Sequence, residues 1–312
     1  MDRLAPFFVI FAATLWGIDS IVLRPYLYTL PVPLVVFLES GIVAVLLSPI
    51  LIRQYGNLKK QLLTKDLVAF VGVALFGGAI GTMAITKALF YVNYVNLSIV
   101  VLIQKLQPIF ALTLASLILK EKLPREFFIW AGVALVSAYF MTFGLDVPNF
   151  STGDKTTIAA LFALLAAFSF GFSTVLSKRA LKNVTYATGS YLRFLFTTII
   201  MLVLVASMGD LGSIVMVSTT QWIVFGIIAF SSGGLAILLY YFGLKRITAS
   251  VATICELSFP LTAILLEYII RGNILSWVQW IGAIVLILSI IKVSGVRLLK
   301  IRKPSEKFTQ HS

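Results

Sequence analysis

The chain has 312 residues, of which 60 % are apolar and only 12 % charged, with a formal net charge of +13. Soluble domains carry about twice that charged fraction, so a soluble globular fold is excluded, and a mean hydropathy of +1.02 points to a chain embedded in lipid. One cysteine (Cys255) and one histidine (His311, in the tail) exclude intramolecular disulfides, zinc bound by thiol pairs and histidine proton relays inside the membrane.

Apolar runs long enough to cross a hydrocarbon core need roughly 20 residues each. They predict ten spans, numbered here in chain order: 5–26, 32–52, 67–91, 95–119, 125–143, 156–177, 186–208, 219–242, 249–270 and 275–294. The start of span 1, Arg3 followed by Phe7–Trp16, has the form of a signal peptide. Its Trp16-Gly17 has an internal counterpart in Phe170-Gly171, however, so the span is expected to be retained. Span 1 also carries Asp19, three residues beyond Trp16 on the same helical face. Span 2 carries Glu39, span 3 Lys87, span 4 Lys105, span 7 Arg193 and span 9 Glu256. An ionised group at membrane depth costs about 2.5–3.5 kcal/mol even on lenient scales, so each of these six needs a reason. Three acids and three bases allow complete internal pairing. Helix-locking ion pairs, snorkelling for Glu39, Lys87 and Arg193, and a substrate pathway at Asp19, Lys105 and Glu256 are the readings weighed. Tyr91, Tyr94, Tyr240 and Tyr241 lie near span ends and read as interfacial belt residues.

The chain is internally duplicated. Phe90, Ser98 and Pro108 fall on Phe242, Ser250 and Pro260 at one constant offset, and the segment around Gly132 matches that around Gly282. Ser20-Ile21-Val22 likewise matches Thr174-Val175-Leu176. A repeat with an odd number of spans inverts its own topology, the plan of many alternating-access carriers. Residues 1–143 and 156–296 are thus expected to be two five-helix repeats, with 144–155 an external linker and 297–312 a basic cytoplasmic tail. Pro108 and Pro260 should kink spans 4 and 9, freeing the carbonyls of Gln104 and Glu256. A plain packing kink is the alternative to a cavity lined by Gln104, Lys105, Gln107, Glu256 and Ser258. Gly77, Gly78, Gly81, Gly233 and Gly234 should allow close helix approach or hinging. Where the copies align they disagree in charge: Glu39 stands against Arg193, and Gln104 against Glu256.

Nineteen of the 25 Lys and Arg lie at one set of span ends, three (Arg24, Lys155, Arg271) at the other and three inside spans. This is the positive-inside signature rather than a nucleic-acid footprint, and it predicts both termini in the cytoplasm. The basic tail is also placed to touch anionic lipid headgroups. No Walker A, Rossmann, HExxH or GxSxG pattern occurs, so neither ATP-driven transport nor hydrolase chemistry is supported.

Several of these features together resemble the drug/metabolite transporter superfamily, specifically its ten-span proteins with two EamA-type repeats. They are Leu15-Trp16-Gly17, Arg193, Pro108 with the Leu117–Glu121 exit, and Trp130-Ala131-Gly132 matched by Trp280-Ile281-Gly282. Glu39 stands where that family commonly has a basic residue, and Asn273 where a second exit glutamate is common. The resemblance implies a secondary transporter, typically an exporter of amino acids or related metabolites, with a pocket between its halves. The expectation is therefore an all-α protein of the cytoplasmic membrane, not an enzyme, with ten helices in two inverted repeats. It needs no cofactor, metal or nucleic acid and acts as a monomer or dimer. Substrate-binding residues are expected at Trp16, Asp19, Glu39, Gln104, Lys105, Gln107, Arg193 and Glu256. A passive facilitator is the rival, and proton coupling through Glu256 or Asp19 an optional addition.

Overall fold

The computed structural model describes residues 4–61, 64–91, 103–146, 153–272 and 274–295. The tail, the middle of the linker, the beginning of span 4 with Ser98, and Asn273 lie outside the described residues. All secondary structure among the described residues is helical. Only helices and closed barrels satisfy every backbone group inside lipid, so an apolar chain of this patterning has little choice. Among the described residues nine helices are long and apolar enough to cross a membrane, from Ala5–Leu27 to Trp277–Ser294, and at span 4 lies a shorter apolar helix, Gln107–Ile118. The chain is a multi-pass membrane protein.

The packing repeats across the two halves. Span 1 lies against spans 8 and 9, and its counterpart span 6 lies against spans 3 and 4. Span 2 pairs with span 7, and span 5 with span 10. Each half thus buries its first helix in the other half, and one hydrophobic core draws on both, from Val9 and Phe70 to Tyr241 and Leu286. The crossing points are glycines. A Cβ on Gly17 would lie 2.9 Å from the Phe259 carbonyl oxygen, and one on Gly171 would lie 3.0 Å from that of Gln107. Gln107 and Phe259 are themselves repeat counterparts, so both halves solve the same crossing in the same way.

The Gly132–Gly282 match does not extend to contacts. A Cβ on Gly282 would meet the Met141 nitrogen at 2.6 Å, whereas Gly132 faces open space. Gly282 lies on the face that span 10 turns toward span 5; Gly132 points away from that seam.

Several spans are interrupted. Span 1 ends its α-helix at Ile18 and continues as a π-helical turn, Asp19–Leu23, then a 3-10 turn, Arg24–Leu27. Spans 3 and 8 carry π-helical segments at equivalent places, Ala74–Ile80 and Ala229–Gly233. These segments hold Gly77, Gly78 and Gly233, and Gly81 and Gly234 begin the α-helices that follow them. Spans 4 and 9 break just before their prolines: Lys105-Leu106 and Glu256-Leu257 form turns, and helices restart at Gln107 and Ser258. The expected free carbonyl on Glu256 is not observed. The chain tightens into a 3-10 turn there, and the Phe259 N–H donates to the Glu256 oxygen at 2.9 Å.

Replacing Gly17 or Gly171 by valine should force spans 1 and 6 off their crossings. Overpacking of this kind costs about 1–3 kcal/mol, so each variant should lose several degrees of melting temperature in detergent. Gly132→Ala, in open helical space, should be neutral or stabilising by roughly 0.5–1 kcal/mol. Thermal unfolding of the purified variants checks both.

Candidate functional site

Two polar clusters lie between the halves, and they divide the predicted residues. The first is a charge triad at the end of span 1. The Arg24 guanidinium donates through one nitrogen to Asp19 Oδ2 and through the other to Glu39 Oε2 at 2.8 Å. Five residues is about 1.4 turns of an α-helix, which would leave Asp19 and Arg24 on different faces. The π-helical turn takes more residues per revolution and brings them together. Arg24 therefore does not stand apart with the loop charges of the far side, as its position in the sequence suggested. It occupies the cation position between the two acids, and Lys87, Lys105 and Arg193 do not pair with them.

The second cluster surrounds the break in span 9. Glu256 accepts from Tyr240 Oη at 2.6 Å and Gln107 Nε2 at 2.9 Å, with Thr174 Oγ1 at 3.4 Å. Spans 4, 6, 8 and 9 therefore meet at one carboxylate, which has no basic group within 4.0 Å among the described residues. Trp16 lies with its ring centroid 5.3 Å from that of Tyr240, and its Nε1 donates to the Ser232 carbonyl at 2.9 Å. Arg193 sits 5.9 Å over the Tyr241 ring, and the Tyr241 hydroxyl is 3.0 Å from Ser177 Oγ. Tyr240 and Tyr241 are only 3 % and 0 % exposed, which overturns their assignment to an interfacial belt. They sit on the buried face of span 8, a turn short of its end. Elsewhere on span 6, Phe168 and Phe172 stack, and Phe76 and Phe110 pack edge-on against this pair.

Among the remaining predicted residues, Lys105 places its Nζ out of solvent with no hydrogen-bond partner among the described residues. Gln104 stays half-buried at the same helix break. Pro108 and Pro260 stand at the restarts, in the first turn where a missing N–H costs nothing. Lys87 is not at membrane depth in a core. It is exposed and borders a cavity of about 470 Å³ with Val32, Met83, Tyr91, Met208 and Asp210. That cavity opens at the end opposite the basic loops. At the basic end the halves are stitched together. Glu121 accepts from the Ala249 and Ser250 N–H groups and from Ser250 Oγ at 2.6 Å. Within the second half, Lys178 donates to the Leu244 carbonyl at 2.8 Å.

Sequence reasoning missed Arg24, Thr174, Tyr240 and Ser232. Thr174 was within reach, as the counterpart of Ser20 beside Asp19. The other three carry no local signal, because their partners lie far along the chain or depend on a π-helical turn.

A family model described as the EamA-like transporter family matches residues 3–143 and 157–295. Over 286 residues the chain is 48 % identical to the riboflavin transporter ImpX of Fusobacterium nucleatum, covering 92 % of this chain and 96 % of that one. It is 27 % identical over 257 residues to an uncharacterised transporter of Synechocystis, covering 79 % and 70 %. A solved crystal structure at 15 % identity superposes with a TM-score of 0.72 over 92 % of this chain and 95 % of that one, a likeness of fold.

Removing one partner of a buried charge cluster costs about 3–5 kcal/mol, because the rest is left uncompensated. Arg24 is partly exposed, so Arg24→Gln should fall near the low end of that range. Adding Asp19→Asn to the same molecule should recover part of the loss. A double-mutant cycle on thermal unfolding reads the coupling; simple additivity would show that the triad is not an interacting unit.

Proposed function

The chain belongs to the EamA-like transporter family, and from that premise we propose that it carries riboflavin across the cell membrane by alternating access. It is a transporter and not an enzyme; the flavin is the new element. The similarity to a relative named as a riboflavin transporter extends over nearly the whole of both chains. The observation in the protein itself that carries the reading is the Trp16–Tyr240–Glu256–Gln107 cluster, where aromatic faces and hydrogen-bonding groups meet at the repeat seam.

A zwitterionic amino acid, the substrate expected from the charges, loses its support once those charges are followed to their partners. Asp19 and Glu39 are engaged by Arg24, which leaves a site with few free ions and many rings. Riboflavin is uncharged at neutral pH, flat and tricyclic at one end and polyhydroxylated at the other. Aromatic walls suit the ring system, each good contact contributing about 0.5–1.5 kcal/mol beyond burial. In this reading Trp16 and Tyr240 form the wall. Lys105 and Arg193 donate to the ring carbonyls, and Gln104, Gln107 and Glu256 address the ring N–H and the side-chain hydroxyls. The substrate enters from the cavity end, which the positive-inside rule assigns to the outside. The spans then rock about the glycine crossings, and the Glu121 stitches to Ala249 and Ser250 open at the cytoplasmic end. Protonation of Glu256 would supply coupling in this scheme, since it is the carboxylate at the seam without a basic partner.

Purified protein in liposomes should take up riboflavin saturably, followed by flavin fluorescence, and show counterflow. Equilibration without counterflow would instead identify a passive facilitator, and no flavin uptake alongside amino-acid counterflow would overturn the assignment. Trp16→Ala should weaken apparent affinity about 3–10-fold, with Trp16→Phe milder. Glu256→Gln should abolish any dependence of uptake on a pH gradient while leaving flavin binding measurable; a gradient dependence that survives it would remove Glu256 as the proton carrier.

A further inference from the structure

Charge does not balance at the Asp19–Arg24–Glu39 triad. The guanidinium is always protonated, and it faces two carboxylates. With both acids ionised the group carries a net charge of −1, at a place where the Asp19 side chain is only 5 % exposed. An uncompensated buried charge is strongly unfavourable and demands a counter-charge.

Two oxygens mark where that charge belongs. Asp19 Oδ1, the carboxylate atom turned away from Arg24, and Ser232 Oγ are both buried, and neither has a hydrogen-bond partner. The Ser232 hydroxyl lies next to the Asp19 carboxylate, so one cation can reach both oxygens. Ser232 is held in place by its carbonyl, which accepts from Trp16 Nε1 at 2.9 Å. Both residues belong to π-helical segments, Asp19–Leu23 and Ala229–Gly233. The place between the two oxygens is thus anionic, with one oxygen from each repeat.

We infer that Asp19 Oδ1 and Ser232 Oγ together bind one monovalent cation of the sodium type. A carboxylate and a hydroxyl are hard oxygen donors that suit sodium, and interrupted helices are where secondary transporters hold their coupling ions. Hard oxygen donors without thiol or imidazole disfavour transition metals. A single positive charge neutralises the triad, whereas a divalent ion would overshoot it. Among the described residues no three Asp, Glu, His or Cys gather as a divalent site would require. Side-chain exposure falls from 31 % at Arg24 through 17 % at Glu39 to 5 % at Asp19, so the two oxygens lie at the buried end of the triad. Because Asp19 belongs to span 1 and Ser232 to span 8, occupancy would link the ion to the relative position of the two halves.

The test needs no flavin, so its outcome is independent of the substrate assignment. The full chain in detergent is melted at constant ionic strength while sodium replaces choline. Sodium should raise the melting temperature saturably and choline should not, and radioactive sodium should bind at one site per chain. Ser232→Ala should weaken the half-saturating concentration about tenfold or more. Asp19→Asn should abolish the response, and Lys87→Gln should leave it unchanged. Ser232→Ala removes a single hydroxyl and keeps the test valid where Asp19→Asn fails to fold. Equal melting in sodium and choline would overturn the site, as would a sodium response that persists in both variants. Stability that follows pH but not sodium would assign the missing charge to a proton and overturn it as well.

Discussion

Backbone saturation in hydrocarbon governs this molecule. Each N–H and C=O inside the bilayer must be paired within the protein, so a span can be interrupted only where other protein surrounds it. All the interruptions described here, the π-helical turns of spans 1, 3 and 8 and the breaks of spans 4 and 9, obey that rule. They face the seam between the halves, and the glycine crossings at Gly17 and Gly171 hold the two halves close enough to seal them. A bulkier residue at either crossing would separate the helices and expose irregular backbone. The polar clusters therefore gather at the seam because it is the one place where irregular helix is tolerated.

The seam is asymmetric in chemistry and symmetric in construction. In the first half, Asp19, Arg24 and Glu39 occupy positions whose counterparts include Ser173 and Arg193. In the second half, Glu256 faces Gln107, Thr174 and Tyr240. One cluster is anionic and holds its own cation. The other places a single carboxylate among rings and neutral hydrogen-bonding groups. That division separates an electrostatic anchor from a cluster of rings and neutral hydrogen-bonding groups. It explains why counting intramembrane charges pointed to a zwitterion: the count treated as free two acids that are neighbours of the same guanidinium.

The stitches at the basic end and the cavity at the opposite end give the structure a direction. Glu121 accepts backbone N–H groups at the start of span 9, so this exit glutamate of the first half closes the second half's helix end. Its counterpart in the second half, Asn273, is uncharged. Such contacts are few and polar, and they stand apart from the apolar core shared by the halves.

Length, hydropathy and the offset between Pro108 and Pro260 were enough to establish an all-helical, duplicated transporter. Spans are set by local apolar runs, and duplication by residue identity at a fixed spacing. The kink positions and the packing glycines were legible for the same reason. Partners were not. Whether Arg24 meets Asp19 depends on a π-helical turn, and whether Tyr240 meets Glu256 depends on how two helices pack. Composition shows that charges at membrane depth must be compensated, but it cannot say by what. Only the tertiary structure decides that, because compensation is a matter of distance in space between residues that the sequence leaves far apart.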